Sequence, residues 1–159
     1  MLSSGVTRRS ALLGLLALGA CGFTPAFAPG STAAAWQNAV EIDAPDTVFG
    51  FRMRGRLGET LGAPTAPAFT LKVDPKSAPV SATITEEGDI TRFNLTGNAE
   101  WVLTDQQSGA TVQSGLVQTF TSYSATGSTV ATQAAESDAR DRLATALADL
   151  IVQQLLTAR

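Results

Sequence analysis

The chain has 159 residues and a mass of 16.4 kDa, room for one domain and little else. Hydrophobic residues make up 44% and charged residues only 16%, a balance that can bury a core and argues against disorder. There is no histidine and one cysteine, which excludes Ser-His-Asp and Cys-His catalysis, an internal disulfide and a thiolate metal cluster.

Residues 1–20 have the build of an export signal. A short basic stretch ends in Arg8–Arg9, the apolar run Ala11 to Leu18 follows, and the small residues Gly19 and Ala20 precede Cys21. The apolar core is about ten residues, against roughly 20 for a bilayer-spanning helix, so a retained transmembrane helix is the weaker reading. Leu18-Gly19-Ala20-Cys21 resembles the bacterial lipobox. That resemblance implies cleavage before Cys21, with a thioether-linked diacylglycerol and an N-acyl chain on the new N-terminus. Each buried methylene contributes about 0.8 kcal/mol, and two chains suffice for stable anchoring. An ordinary signal peptide cut nearby, leaving a free thiol, is the alternative. Gly22 stands where an Asp would favour inner-membrane retention in such lipoproteins, so the expected site is the outer membrane, facing the periplasm. Thr7-Arg8-Arg9-Ser10 also resembles a twin-arginine signal, although basic starts are common to all export signals.

Loss of Arg8 and Arg9 leaves nine basic against fourteen acidic residues, a net of −5. Such a domain gains little from a phosphate backbone, so nucleic acid is not expected as a partner. Residues 21–35, with Pro25, Pro29 and Gly30, have the composition of a tether reaching on the order of 50 Å when stretched. A globular domain is expected over 36–159.

Trp36 to Ile42 reads as a first strand ending at Asp43-Ala44-Pro45. Asp46 is the expected N-cap of a helix carrying Phe49, Met53, Leu57 and Leu61 every fourth residue, with Gly62 as terminator. Gly50, Gly55 and Gly58 each cost roughly 1 kcal/mol against Ala in a helix interior, so packing must hold it. Phe69, Leu71 and Val73 alternate on odd positions and Val80, Ala82 and Ile84 on even ones, which predicts a bulge or break across Asp74–Pro79. Glu86-Glu87-Gly88-Asp89 reads as a turn. From Arg92 to Thr104 the alternation predicts one buried face (Phe93, Leu95, Ala99, Trp101, Leu103) and one wet face. A hairpin loop over 105–109 leads to a last strand, Ala110 to Ser122, with Val112, Leu116 and Phe120 in phase. A long helix from about Thr129 to Thr157 carries the stripe Ala135, Ala139, Leu143, Leu147, Leu150 and Ile151, with i,i+4 pairs Glu136–Arg140 and Asp138–Arg142. Val152 and Leu156 project away from that stripe, as surface aliphatics or as a contact with another protein. The expected fold is α+β, a single β-α-β-β-β-α domain with two helices on one face of a four-stranded sheet.

No catalytic constellation emerges. Glu86, Glu87 and Asp89 could suggest paired carboxylates, but a solvated turn explains them, and no nucleophile elbow, P-loop or Ser-x-x-Lys motif is present. Asn94-Leu95-Thr96 matches a glycosylation acceptor inside a strand and is discounted. An enzyme is not expected, nor a metal or dissociable cofactor.

Several stretches resemble the LptE family, outer-membrane lipoproteins of lipopolysaccharide assembly, in its alphaproteobacterial form. Cys21-Gly22-Phe23-Thr24-Pro25 is similar to the family's opening, with Phe27 where Tyr is common. Gly88 to Gly97 resembles its third strand, and Phe120 to Thr132, leading into Ala135–Arg140, resembles the junction between last strand and last helix. The resemblance implies a non-catalytic plug inside the LptD β-barrel that helps the barrel fold and contacts lipopolysaccharide. Lys72, Lys76 and Arg92 are the candidates for contacting lipid A phosphates or core carboxylates, since an acidic domain needs local basic residues to meet an anionic glycolipid. Isolated surface charges are the alternative for these three. For the whole chain, the alternatives are a generic periplasmic lipoprotein, such as an auxiliary subunit of a lipid-transport ABC system, and a lipid-anchored hydrolase.

Overall fold

The computed structural model describes residues 32–84, 90–125 and 127–157. In chain order these form α1 (Thr32–Trp36), β1 (Val40–Asp43), α2 (Val48–Leu61), β2 (Phe69–Ile84), β3 (Ile90–Asp105), β4 (Thr111–Ser124) and α3 (Thr129–Thr157). The strands make one sheet in the order β1-β2-β3-β4. β1 and β2 are parallel, joined by the crossover helix α2, and the remaining neighbours are antiparallel hairpins. This is the expected α+β fold, with one short helix added at the start.

The local departures have local causes. Trp36 closes α1 instead of opening a strand, and the chain turns at Asn38, whose φ of 56° is one that Asn tolerates. Asn38 N–H donates to the Leu61 carbonyl at 2.8 Å, so β1 begins at Val40, alongside the end of α2. The N-cap of α2 is Thr47, not Asp46. Thr47 is extended (φ −117°, ψ 160°) and its Oγ1 accepts from Gly50 N–H at 3.0 Å, while the Asp46 carboxylate accepts from Arg54 at 3.4 Å.

The expected break over Asp74–Pro79 does not occur. β2 pairs with β3 in unbroken register from Phe69↔Asp105 to Ser81↔Phe93, and the irregularity falls later, between Ser81 and Ile84. β1 pairs only as far as Lys72, so from Val73 onward β2 is an edge strand, where prolines are tolerated. The flip in hydrophobic phase means only that Val80 lies on the other face, half exposed. The turn expected over 86–89 lies outside the described residues.

One face of the sheet is covered by α2 and α3. Odd-numbered residues of β2, β3 and β4 point to it: Leu71, Val73, Leu95, Ala99, Trp101, Leu103, Val117 and Tyr123 are buried there. Met53, Leu57 and Leu61 from α2 and Leu143, Leu147, Ile151 and Leu155 from α3 complete the core. Fully burying such a side chain contributes about 2 kcal/mol. Gly97 lets α3 sit close, because a Cβ there would fall 2.9 Å from Leu143 Cδ2. Ion pairs Arg52–Asp141 (3.1 Å) and Arg56–Asp149 (2.8 Å) link the helices at the surface, where each contributes little. The anticipated pairs Glu136–Arg140 and Asp138–Arg142 both form.

Val152 corrects another expectation. It is 7% exposed and part of the core, and Leu156 packs partly buried against it. Because α3 is flanked by α2 as well as by the sheet, its apolar arc is wider than one stripe. Neither residue presents an open partner-binding surface.

Candidate interaction face of the sheet

With the helices on one side, the even-numbered positions of β2, β3 and β4 line the other, together with Glu41 and Asp43 of β1. No described element covers this face. Across it run rows fixed by the strand register: Asp43–Lys72–Val102–Ser114, then Asp74–Glu100–Leu116, Lys76–Asn98–Gln118 and Ala78–Thr96–Phe120. Apolar side chains left open here include Val102, Leu116 and Phe120, the last 63% exposed. A shallow depression of about 460 Å³ spans the last two rows, with Gly97 backbone at its floor and Lys76, Thr96, Asn98, Gln118 and Phe120 around it.

The sequence candidates fall on this face but not in one place. Lys72, Lys76 and Arg92 are all exposed at even positions. Lys72 and Lys76 are four residues apart, about 13 Å along the strand, and Arg92 lies six residues beyond Asn98, the partner of Lys76, about 20 Å further. Lys76 Nζ is 3.2 Å from an Asp74 carboxylate oxygen, and that hydrogen bond and charge, with Glu100 beyond, hold its ammonium above the usual lysine range. The basic residues are therefore interleaved with carboxylates. Among the described residues Lys72 and Arg92 make no ion pair. Cys21 lies outside the described residues.

Sequence reasoning placed Val112, Leu116 and Phe120 in phase but did not see that they share an uncovered face. The buried residues of β4 are Val117 and Tyr123, on the opposite parity. The signal was available in the β3–β4 hairpin, whose register sets Trp101 opposite Gly115 and so fixes which β4 residues face the helices.

Among the described residues no group of three or more Asp, Glu, His or Cys is placed to hold a metal, and no helix is long and apolar enough to cross a membrane.

Residues 38–155 match the family model of LptE, described as lipopolysaccharide-assembly. No curated protein matches the chain. Among solved structures, a lipoprotein from Caulobacter crescentus superposes with a TM-score of 0.64 at 23% identity, covering 79% of this chain and 93% of its own. Lipoprotein B from Nitrosomonas europaea gives 0.60 at 15% identity, with 84% and 90% covered. Rare lipoprotein B from Shewanella oneidensis gives 0.58 at 14% identity, with 74% and 92% covered. At these identities the likeness is one of fold.

Proposed function

The chain belongs to the LptE lipopolysaccharide-assembly family, and from that premise we propose that it is a non-catalytic outer-membrane lipoprotein that plugs and helps assemble an LptD-type β-barrel. The observation that carries this reading is the family match across nearly all of the described domain. In support, the domain offers an uncovered sheet face of mixed polar and apolar character, as a surface lodged against another protein would. The anchor is Cys21, acylated after removal of residues 1–20, with residues 21–35 as tether and the domain on the periplasmic side. Lys72, Lys76 and Arg92 are the proposed contacts for the anionic groups of lipopolysaccharide. Lys72 and Arg92 are the better placed, since Asp74 already engages Lys76.

A tagged full-length chain purified from detergent-solubilised envelopes tests the reading. A large β-barrel protein should co-purify in comparable amount, and the mature N-terminus should have the mass of a triacylated cysteine. Recovery of transporter subunits, or of no partner, would refute the plug role. Reversing charge at Lys72, Lys76 and Arg92 together should weaken binding of purified lipopolysaccharide severalfold, and unchanged binding would remove those contacts.

A further inference from the structure

The strands carry four carboxamides, and the fold uses them unequally. Asn94 Oδ1 accepts from Ser122 Oγ at 2.7 Å, and Gln113 Nε2 donates to the Gln154 carbonyl at 3.1 Å. The side chains of Asn98 and Gln118 have no hydrogen-bond partner among the described residues. These two are direct neighbours in the β3–β4 register, so their Cβ atoms lie about 5 Å apart on the uncovered face. Both line the depression of about 460 Å³, where Phe120, diagonal to Asn98 and 63% exposed, stands roughly 7 Å away.

The lining decides what fits. Its volume is within the roughly 300–1,000 Å³ of small-ligand sites. Such sites are mostly apolar, whereas here Phe120 and Ala78 are the only apolar side chains and, apart from Lys76, the rest is amide, hydroxyl and Gly97 backbone. Lys76 is the single charge, and Asp74 answers it at 3.2 Å. A charged ligand therefore finds no net counter-charge, and an aliphatic one would cover two carboxamides without bonding them. A carboxamide donates through nitrogen and accepts through oxygen, which matches a pair of adjacent hydroxyls. The negative face of a phenyl ring attracts weakly positive C–H bonds laid on it. Hydroxyls around the rim and C–H bonds on the face are the anatomy of a pyranose ring.

We propose that this depression binds an uncharged sugar ring of a glycan, with Phe120 against one face of the ring and Asn98 and Gln118 on its hydroxyls. The proposal rests on the glycolipid-assembly role argued above, and it adds a site for neutral sugars to contacts drawn so far only for anionic groups. The depression lies between Lys72, about 13 Å away along β2, and Arg92, about 20 Å away along β3. A bound sugar thus sits between the two basic residues that make no ion pair among the described residues. The rows of Val102 and Leu116 stay open to meet the barrel. A protein segment suits the depression less, because one phenyl ring amid amides gives an interface no apolar centre.

Nuclear magnetic resonance of the processed, full-length chain in detergent micelles tests this. The probe is the oligosaccharide released by mild acid from the lipopolysaccharide of the same cells, then dephosphorylated and carboxyl-reduced so that it carries no charge. The side-chain amide signals of Asn98 and Gln118, identified from N98A and Q118A, should shift saturably on titration. F120A/Q118A should weaken binding at least tenfold and F120Y should retain it, while unchanged backbone signals away from β4 confirm that each variant keeps the fold. No shift with the neutral probe would overturn the proposal. So would binding of the untreated, charged oligosaccharide alone, or binding indifferent to F120A/Q118A. Barrel co-purification separates the site from the assembly role. A barrel recovered with a chain that ignores the sugar leaves that role standing and removes the site. Sugar binding by a chain that recovers no barrel keeps the site and removes the plug. Loss of the barrel from F120A/Q118A, where the unaltered chain binds no sugar, overturns the proposal and gives this face to the barrel wall.

Discussion

Tyr123 is the one tyrosine in the chain, and the fold holds it in an unusual setting for a phenol. It is buried on the helix-covered face, its ring stacked on Phe93 at a centroid distance of 5.4 Å. Burial raises its pKa above the ordinary value, the charge of Glu136 adds to this, and Arg140 opposes it. A raised pKa in the folded state means the native protein holds this proton more tightly than the unfolded chain does. The stability linked to it is complete below the unfolded value of about 10 and is lost as pH rises through the folded value. Phenolate absorbance reads this group without interference from another tyrosine. The alkaline midpoint should lie above about 10 in the native protein and return there in denaturant. Equal midpoints in the two states would contradict the burial. At this scale the sequence was partly readable: Phe93 and Trp101 on the buried face of β3 followed from alternation. That Trp101 Nε1 donates to Gln154 Oε1 at 3.0 Å could not follow, because the two lie on elements whose mutual placement local pattern does not encode.

Within α2 three glycines look alike in sequence and differ in structure. A Cβ on Gly50 would lie 2.2 Å from the carbonyl oxygen of Pro45, a backbone atom that cannot swing aside. A Cβ on Gly55 would meet nothing within 4 Å. Gly50 is therefore required for the chain to turn back against its own helix start, and Gly55 only costs backbone entropy. Gly50→Ala is expected to destabilise by at least about 2 kcal/mol through overpacking, whereas Gly55→Ala should stabilise by up to about 1 kcal/mol. Urea unfolding of both variants checks the pair, and two shifts of the same sign would refute the distinction. The other misreadings are also matters of an element's surroundings. Asp46 and Thr47 are both good capping types, and only the geometry selects between them. β2 was expected to break at its prolines because nothing local marks the place where β1 stops and an edge begins. Val152 was set on an open side because a single stripe assumes one neighbour, while α3 has two.

For the whole molecule, anchoring and folding are separable. Among the described residues the buried core runs from Trp36 to Leu155, and the described domain begins eleven residues after Cys21. From β1 onward the order of elements, the number of strands and the packing of both long helices on one side of the sheet followed from periodicity, since each period fixes which residues must leave water, whereas the short helix α1 did not. Nor did the uncovered face, because a surface becomes a surface only once pairing and register are set. If fatty chains on Cys21 hold the protein in place, and packing alone holds its shape, then Cys21→Ala should change location without changing stability. Fractionated envelopes should show the variant moving from the membrane to the periplasmic fluid, while its urea midpoint matches that of the unaltered chain. Two acyl chains are sufficient for stable anchoring and no helix of the described domain is long and apolar enough to substitute for them, so partial retention that disappears with the barrel would come from the barrel partner. Full retention with the barrel absent would show that an uncleaved N-terminal segment, not acylation, fixes the protein to the membrane.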